Sequence, residues 1–349
     1  MVGIIGSEQA PVKGKGTSVT MDDVARLAGV SRALVSLVMR GSPKVSDRRR
    51  EAVLAAAARL GYRPNAMARG LASRRTRMIG VLLNELHNPF YAEIMDGIDE
   101  VAAELDYRLL IGTAGRRPRG EQEALEAFHE MRADGVVLVG PRLPTREIIA
   151  AAAATPIVVV ARGIRSPLVD SITNDEPTGA RLVVRHLVEL GHRRIAHVDG
   201  GHGAGAVARR SGYREAMSAA GLEREIRVLP GDYTDVAGVR AAVRLLESGD
   251  LPTAVFAAND FVAAGLIDRI EEDGLRVPRD LSVVGYDNTF LAALHHMSLT
   301  TIDQPRPEMG SRAIRALVER VESGRTAPMH VRVIPALVVR SSTGPPPGG

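Results

Sequence analysis

The chain has 349 residues, a formal net charge of +4 and no cysteine, so disulfides and thiolate metal centres are excluded and a reducing cytoplasm is the expected compartment. The length suits one small unit plus a large one, and with aromatics at 3% and no Trp the core must be built from Ala, Val, Leu and Ile. No secretory h-region stands near the start, and the longest apolar run, 148–161, is broken by Thr155 and Pro156, so neither a signal peptide nor a membrane span is expected.

The charge is unevenly placed. Between Thr20 and Met78 thirteen Lys/Arg face four Asp/Glu, while the sequence after Met78 is net acidic. A concentrated positive field suits a polyanion. The bland alternative is a chance cluster of surface arginines in an arginine-rich chain. Within this segment Thr20 and Asp23 form a capping box, so a helix starts at Met21 with Val24, Ala25, Leu27 and Ala28 as its buried side. Gly29 stops it. Ser31 caps a second helix, 32–39, which buries Val35 and Val38. Two short helices around a tight Gly-containing turn form a helix-turn-helix. Ser46 caps a third helix, 47–60, whose Val53, Leu54, Ala57 and Leu60 close the core before Gly61. That helix begins Asp47-Arg48-Arg49-Arg50, and cations at a helix amino end oppose its dipole. The arrangement makes sense if some of them face phosphate. The stretch from Tyr62 to Leu71 then reads either as a basic linker or as a hinge helix that orders on DNA.

The run Val19-Thr-Met-Asp-Asp-Val-Ala-Arg-Leu-Ala-Gly-Val-Ser31, with Val45-Ser46, Arg50 and Leu60-Gly-Tyr-Arg-Pro-Asn-Ala-Met-Ala-Arg-Gly-Leu71, resembles the lactose-repressor (LacI-type) family of bacterial regulators. The resemblance extends over about 19–342. It implies that the second helix enters the major groove, with Arg32, Ala33 and Leu37 at the base-contacting positions. The wider DNA-binding set it implies is Thr20, Ser31, Ser36, Arg40, Asn65, Ala68, Arg69 and the hinge Leu71, which would wedge into the minor groove from each half of a dimer. Arg32 suits guanine, because its fork matches O6 and N7. Ala33 offers only apolar contact. Leu37 stands where many members carry a polar reader, Leu34 replaces a common Thr and Arg40 a common Asn.

From Met78 onward strands and helices alternate. Strands are expected at 78–83, 108–113, 135–139, 157–160, 195–198, 227–229, 254–257 and 282–286. Helices are expected at 91–105, 120–133, 178–190, 207–220, 236–247 and 260–272. Repeated βα units imply parallel sheets covered on both faces, and two runs imply two lobes. The overall expectation is an N-terminal all-α helix-turn-helix headpiece plus an α/β periplasmic-binding-protein-like (type I) two-lobed sensor domain. The boundaries are a headpiece at 20–62, a hinge at 63–77, and a sensor and dimerisation domain at 78–342. Lobe one takes 78–174 and 306–328, and lobe two takes 175–304 and 329–342, with crossovers near Asn174, Pro305 and Pro328. Residues 1–19 and 343–349 read as disordered tails.

Ligands in such sheets bind at the carboxyl ends of strands. The resemblance places the effector between the lobes, at Asn88, Phe90, Asn174, Asp175, Arg209, Tyr233, Asn259, Asp287 and Gln304. Amides, carboxylates and an arginine fork suit a polyol or a base, and the two rings offer flat faces. Each also has an ordinary reading: Asp after a strand caps a helix, and Tyr packs. Gly203-x-Gly205-x-x-Ala208 after a strand fits a dinucleotide fingerprint, but no acid closes the next strand. His192, His197 and His202 lack metal-ligand spacing and read as packing or solvated residues. The reading is therefore a transcription regulator, most simply a repressor. Its partners are pseudo-palindromic double-stranded operator DNA, a sugar-like effector and a second copy of itself; no cofactor, metal, catalytic residue or membrane partner is assigned. The competing readings are a solute-binding protein, which the basic headpiece opposes, and a nucleotide-dependent enzyme.

Overall fold

The computed structural model describes residues 19–39, 41–62 and 75–347. The chain divides into two units, Met1–Thr76 and Arg77–Gly349.

In the first unit α1 (Met21–Ala28), α2 (Arg32–Met39) and α3 (Asp47–Leu60) pack around Val24, Val35, Val38, Val45, Val53 and Ala57. The expected capping box is present: Thr20 Oγ1 accepts from Asp23 N at 3.3 Å and Asp23 Oδ2 accepts from Thr20 N at 3.0 Å. Gly29 and Gly61 end α1 and α3 in the left-handed region, at φ 65° and 63°, where a Cβ would be strained. Three details differ from expectation. Leu27 and Leu54 are exposed, because they lie off the stripes formed by Val24, Ala25 and Ala28 on α1 and by Val53, Ala56 and Ala57 on α3. Val45 and Ala56 fill the core in their place. Ser46 stands at the start of α3, but its side chain makes no capping bond.

The second unit has two parallel sheets. The first carries β1 (Met78–Leu83), β2 (Arg108–Thr113), β3 (Gly135–Val139), β4 (Ile157–Val160), β5 (Val169–Asn174) and β11 (His330–Val333) in the order β11-β5-β4-β3-β1-β2. On it pack α4 (Pro89–Glu104), α5 (Pro118–Glu130), α6 (Thr145–Ala152) and α11 (Arg306–Ser323). The second sheet runs β7-β6-β8-β9, from β6 (Ile195–Val198), β7 (Arg227–Leu229), β8 (Ala254–Ala257) and β9 (Ser282–Val284). Its helices are α7 (Glu176–Glu189), α8 (Ala206–Ala219), α9 (Asp235–Glu247) and α10 (Asp260–Glu272). Bridges Val284–Thr300 and Asp287–Asp303 extend this sheet to the antiparallel pair β10 (Thr301–Asp303) and β12 (Ala336–Val338). The helix α11 seats closely on α4: a Cβ on Gly310 would fall 2.1 Å from the Ile94 carbonyl oxygen.

The third crossover lies at Ile334-Pro335, not near Pro328, because His330–Val333 pairs with β5 in the first sheet. Asp170 secures this return. It is fully buried and accepts from Arg320 Nη2 at 2.7 Å, Arg325 Nη2 at 2.6 Å and Met329 N at 2.7 Å. The expectation of a disordered tail from 343 is also corrected. Val283 N donates to Ser342 O at 2.9 Å, and Gly344 N donates to Ser282 Oγ at 3.1 Å. The Gly344 carbonyl lies 2.8 Å from His192 Nε2. The segment runs beside β9, whose free edge offers it backbone partners.

His192 and His197 are core residues, as packing histidines should be. His197 Nδ1 lies 2.9 Å from the Phe256 carbonyl, with the ring against Tyr213 and Phe256. Burial pushes its pKa down to about 3.

Two outcomes follow for stability. Ending the chain at Ser341 removes the Ser342 hydroxyl from the Thr300 amide and the Gly344 carbonyl from His192, and should cost about 1–3 kcal/mol in urea unfolding; a tail without structure would cost nothing. The His197 pKa falls from an unfolded value near 6.5, so its neutral ring supports the fold fully above pH 6.5, and that support is lost as pH falls toward the folded value. Between pH 7.5 and 5 the protein should lose on the order of 2 kcal/mol more than its His197→Gln variant. Parallel stability curves would contradict this.

Candidate functional site

Two surfaces hold the expected residues, one in each unit. On the first, Arg32 and Ala33 are exposed at the start of α2, where Ser31 Oγ accepts from Leu34 N at 3.2 Å. Arg32 Nε lies 3.9 Å from Asp22, but both side chains are more than half exposed, so the pair holds the arginine weakly and leaves its fork available. Ser36 and Leu37 are half-buried, and Leu37 packs on the headpiece core. Its apolar character has a structural cause that base reading does not need. Thr20 is exposed and engaged in its capping box. Arg48 and Arg49 are exposed at the amino end of α3, while Arg50 Nη2 donates to the Ser42 carbonyl at 2.7 Å and pins the preceding turn. Arg40, Asn65, Ala68, Arg69 and Leu71 lie outside the described residues.

In the second unit, Asn88, Phe90, Arg209, Tyr233, Asn259, Asp287 and Gln304 line one narrow cavity of about 20 Å³ between the lobes. Tyr91, Ala161, Glu176 and Ala204 complete it. The topology explains the convergence: these residues follow the carboxyl ends of strands in both sheets, and the crossover after β10 supplies Gln304. Several carry their ordinary role as well. Asn88 Oδ1 accepts from Phe90 N at 3.0 Å, and Asn259 Oδ1 accepts from Val262 N at 2.9 Å, so both cap the following helix. Capping uses the oxygen alone. Asn259 Nδ2 is buried with no partner, a donor held ready at the cavity wall.

Arg209 is buried and fully oriented. Its Nε and Nη2 donate to Glu176 Oε2 at 2.9 and 2.7 Å, and Nη1 donates to the Ala258 carbonyl. The guanidinium carbon sits 3.4 Å from the Tyr286 ring centroid and 5.6 Å from that of Tyr233. Although burial opposes its charge, the Glu176 carboxylate holds its pKa above the usual value. Asp287 occupies a left-handed conformation at φ 113° and accepts a hydrogen bond from Gln304 Nε2. Burial pushes its pKa well up, opposed by Arg209 and reinforced by the neighbouring Asp260. Asp260 in turn accepts from Thr289 N at 2.7 Å and from the hydroxyls of Thr289 and Thr301, and burial raises its pKa to about 6.

Of the other two expected residues, Asn174 lines the wider groove beside the cavity and Asp175 stands apart from both. Asn174 Nδ2 donates to the Tyr286 hydroxyl at 2.8 Å, and Asp175 Oδ1 caps α7 by accepting from Thr178 N at 3.2 Å. Glu176, absent from the expected set, is a second acid in the cavity wall beside Asp287. A buried arginine requires a counter-charge, and an acid directly after the first crossover is the signal that pointed there. The glycine fingerprint serves the same cavity: a Cβ on Gly203 would fall 2.3 Å from the Tyr233 ring, and one on Gly205 2.6 Å from Glu176. Among the described residues no group of three His, Asp or Glu is placed to hold a metal, and no helix is long and apolar enough to cross a membrane.

A family model described as bacterial regulatory proteins, lacI family, matches residues 20–65, and one described as a periplasmic binding protein-like domain matches 184–343. The chain is 35% identical over 331 residues to the catabolite control protein A of Priestia megaterium, covering 93% of this chain and 99% of that protein. It resembles the solved structure of the lac repressor dimer bound to operator and the anti-inducer ONPF, with a TM-score of 0.83 and 30% identity over 94% of this chain and 100% of that one. A complex of the transcriptional regulator CelR with cellobiose gives a TM-score of 0.69 and 34% identity over 93% of this chain and 99% of that one. Headpiece, two-lobed sensor and full-length identity agree: this chain belongs to the lacI family of bacterial regulatory proteins, and it is a DNA-binding transcription regulator with an effector-binding sensor domain, not an enzyme.

Proposed function

We propose that the protein is a homodimeric repressor whose hold on a pseudo-palindromic operator is set by a sugar or sugar derivative bound between its lobes. The observation that carries this is the interlobe cavity, where Asn88, Asn259, Asp287 and Gln304 surround a space flanked by Phe90 and Tyr233. Amides and a carboxyl match hydroxyl groups, and rings match the apolar face of a sugar. The cellobiose complex of CelR and the operator-bound lac repressor dimer support the same reading by likeness. The cavity is placed to couple binding to lobe geometry. Glu93 on α4 of the first lobe accepts from Phe290 N of the second at 3.1 Å and from Arg306 Nε at 2.7 Å, beside the same cleft. A ligand that prefers one arrangement of these contacts shifts the balance between them. In this proposal residues 63–77 carry that shift to the headpiece.

Binding to DNA rests on Arg32 and Ala33 at the exposed start of α2, on Arg48 and Arg49 as phosphate contacts, and on Leu71 by resemblance. A solute-binding protein would need no such headpiece.

Selection from random duplexes should return a two-fold symmetric site. On that site Arg32→Ala should weaken binding by about 1–3 kcal/mol at fixed salt and relax preference at one base pair of each half. Leu71→Ala should weaken it as well. If neither substitution changes operator affinity, the docking reading fails. Asp287→Asn should leave ligand-free operator binding intact and weaken the response to effector at least tenfold in titration; an unchanged response would remove the cavity from the account.

A further inference from the structure

The cavity has a larger neighbour. Ala161, Glu176 and Ala204 also line a wider groove, so the two spaces adjoin. One wall of that groove carries Arg142, Arg162 and Arg332. Sheet order brings them together. Arg142 follows β3, Arg162 follows β4, and Arg332 lies in β11 opposite Thr173 of β5, while β3, β4, β5 and β11 are consecutive neighbours in the first sheet.

These three cations share one nearby acid that Arg209 does not already engage, the buried Glu121, which attracts Arg142 and Arg162. Glu176, the acid that lines both spaces, is engaged by Arg209. Glu121, behind the wall, accepts from the backbone N–H groups of Arg142 and Leu143 at 2.8–2.9 Å. Arg142 Nε is buried with no hydrogen-bond partner. Arg162 is held in place by bonds to the Pro141 and Leu143 carbonyls at 3.1 and 2.6 Å and to Thr145 Oγ1 at 2.8 Å, and burial lowers its pKa. A guanidinium fixed in this way and partly stripped of water is costly unless an anion meets it. From the opposite lobe the groove is faced by His202 and by the amino end of α8, whose first turn carries no acid.

We propose that the groove is a subsite for an anionic group on the effector, so that the ligand is a polyol bearing a phosphate monoester or a carboxylate and not a neutral sugar. The proposal rests on the effector reading of the cleft. The hydroxylated body of the ligand parts the lobes at the inner cavity, which at about 20 Å³ is otherwise too narrow for it, and its oxyanion extends past Ala161 to the three arginines.

Calorimetric titration of the full chain tests this with glucose 6-phosphate, ribose 5-phosphate, gluconate and 6-phosphogluconate, each beside its neutral parent sugar. The expected result is that an anionic compound binds at least tenfold more tightly than its parent. Arg162→Gln with Arg332→Gln should bring it to the level of the parent, and raised salt should shrink the advantage. Arg332→Gln alone, at an exposed position, should give a partial loss and guards against misfolding. Preference between the phosphate and carboxylate members identifies the source of the charge. Neutral parents that bind as tightly as the anions overturn the subsite and leave the effector cavity standing. Anion binding that is lost in the arginine variants but indifferent to Asp287→Asn keeps the subsite and overturns the cavity reading. A panel in which nothing binds overturns both.

Discussion

A guanidinium buried away from water must be given a counter-charge and directed donors, or the fold does not tolerate it. Arg209 is that group here. Glu176 neutralises it, the Ala258 carbonyl accepts from it, and the Tyr286 ring covers it. These partners come from the start of α7, the end of β8 and the loop after β9, so satisfying one charge ties together three segments at the carboxyl edge of the second sheet. Asn259, Tyr233 and Asp287 are then positioned around a fixed point. The edge they form is where the proposed effector would meet both lobes. Gly203 and Gly205 belong to the same constraint, since only residues without Cβ let this loop close on Tyr233 and Glu176.

The headpiece obeys different physics. Its core is small, with few large side chains, and its order depends heavily on local devices: the Thr20–Asp23 capping box, the left-handed Gly29 and Gly61, and Arg50 on the Ser42 carbonyl. Arginines at the amino end of α3 work against that helix. Such a unit is stable enough to present Arg32 and Ala33, and it leaves cationic groups for phosphate. In the proposed reading, specific and non-specific holding of DNA would be divided between α2 and α3, in keeping with the general division between base contacts and phosphate contacts.

Much of this was legible from the residues. The βα alternation read correctly where the strands are apolar runs closed by polar helix starts, but β5, with its polar Asp170, Ser171 and Thr173, and the helix α11 were not among the expected elements; seven expected cleft residues meet because strand ends in parallel sheets converge. What was missed has definite causes. Asp175 adjoins the right crossover, but its capping position directs it to the Thr178 amide, while Asn174, bonded to the Tyr286 hydroxyl, lines the adjoining groove. Glu176 carried no periodic signal; only the need of Arg209 for a partner revealed it. The strands β10, β11 and β12 span three or four residues among prolines, too short for alternation to show, and their pairing with distant strands decides the topology. The tail from Thr343 looked like a disordered Gly/Pro segment, yet the Ser282 hydroxyl on β9 and the buried His192 hold it at Gly344. Leu27 and Leu54 show the limit of hydrophobicity alone: one residue off the buried stripe is enough to face solvent.

The account stands on a basic three-helix unit whose grip on duplex DNA is tuned by what lies between the two lobes. The most direct test measures binding of the purified full chain to its selected duplex against an excess of random duplex, with and without the small-molecule panel, at one salt concentration. The account expects a clear preference for the selected duplex, and a shift in its affinity of about 5–150-fold by at least one compound. Equal binding to all duplexes, or a preference indifferent to every compound, would contradict it.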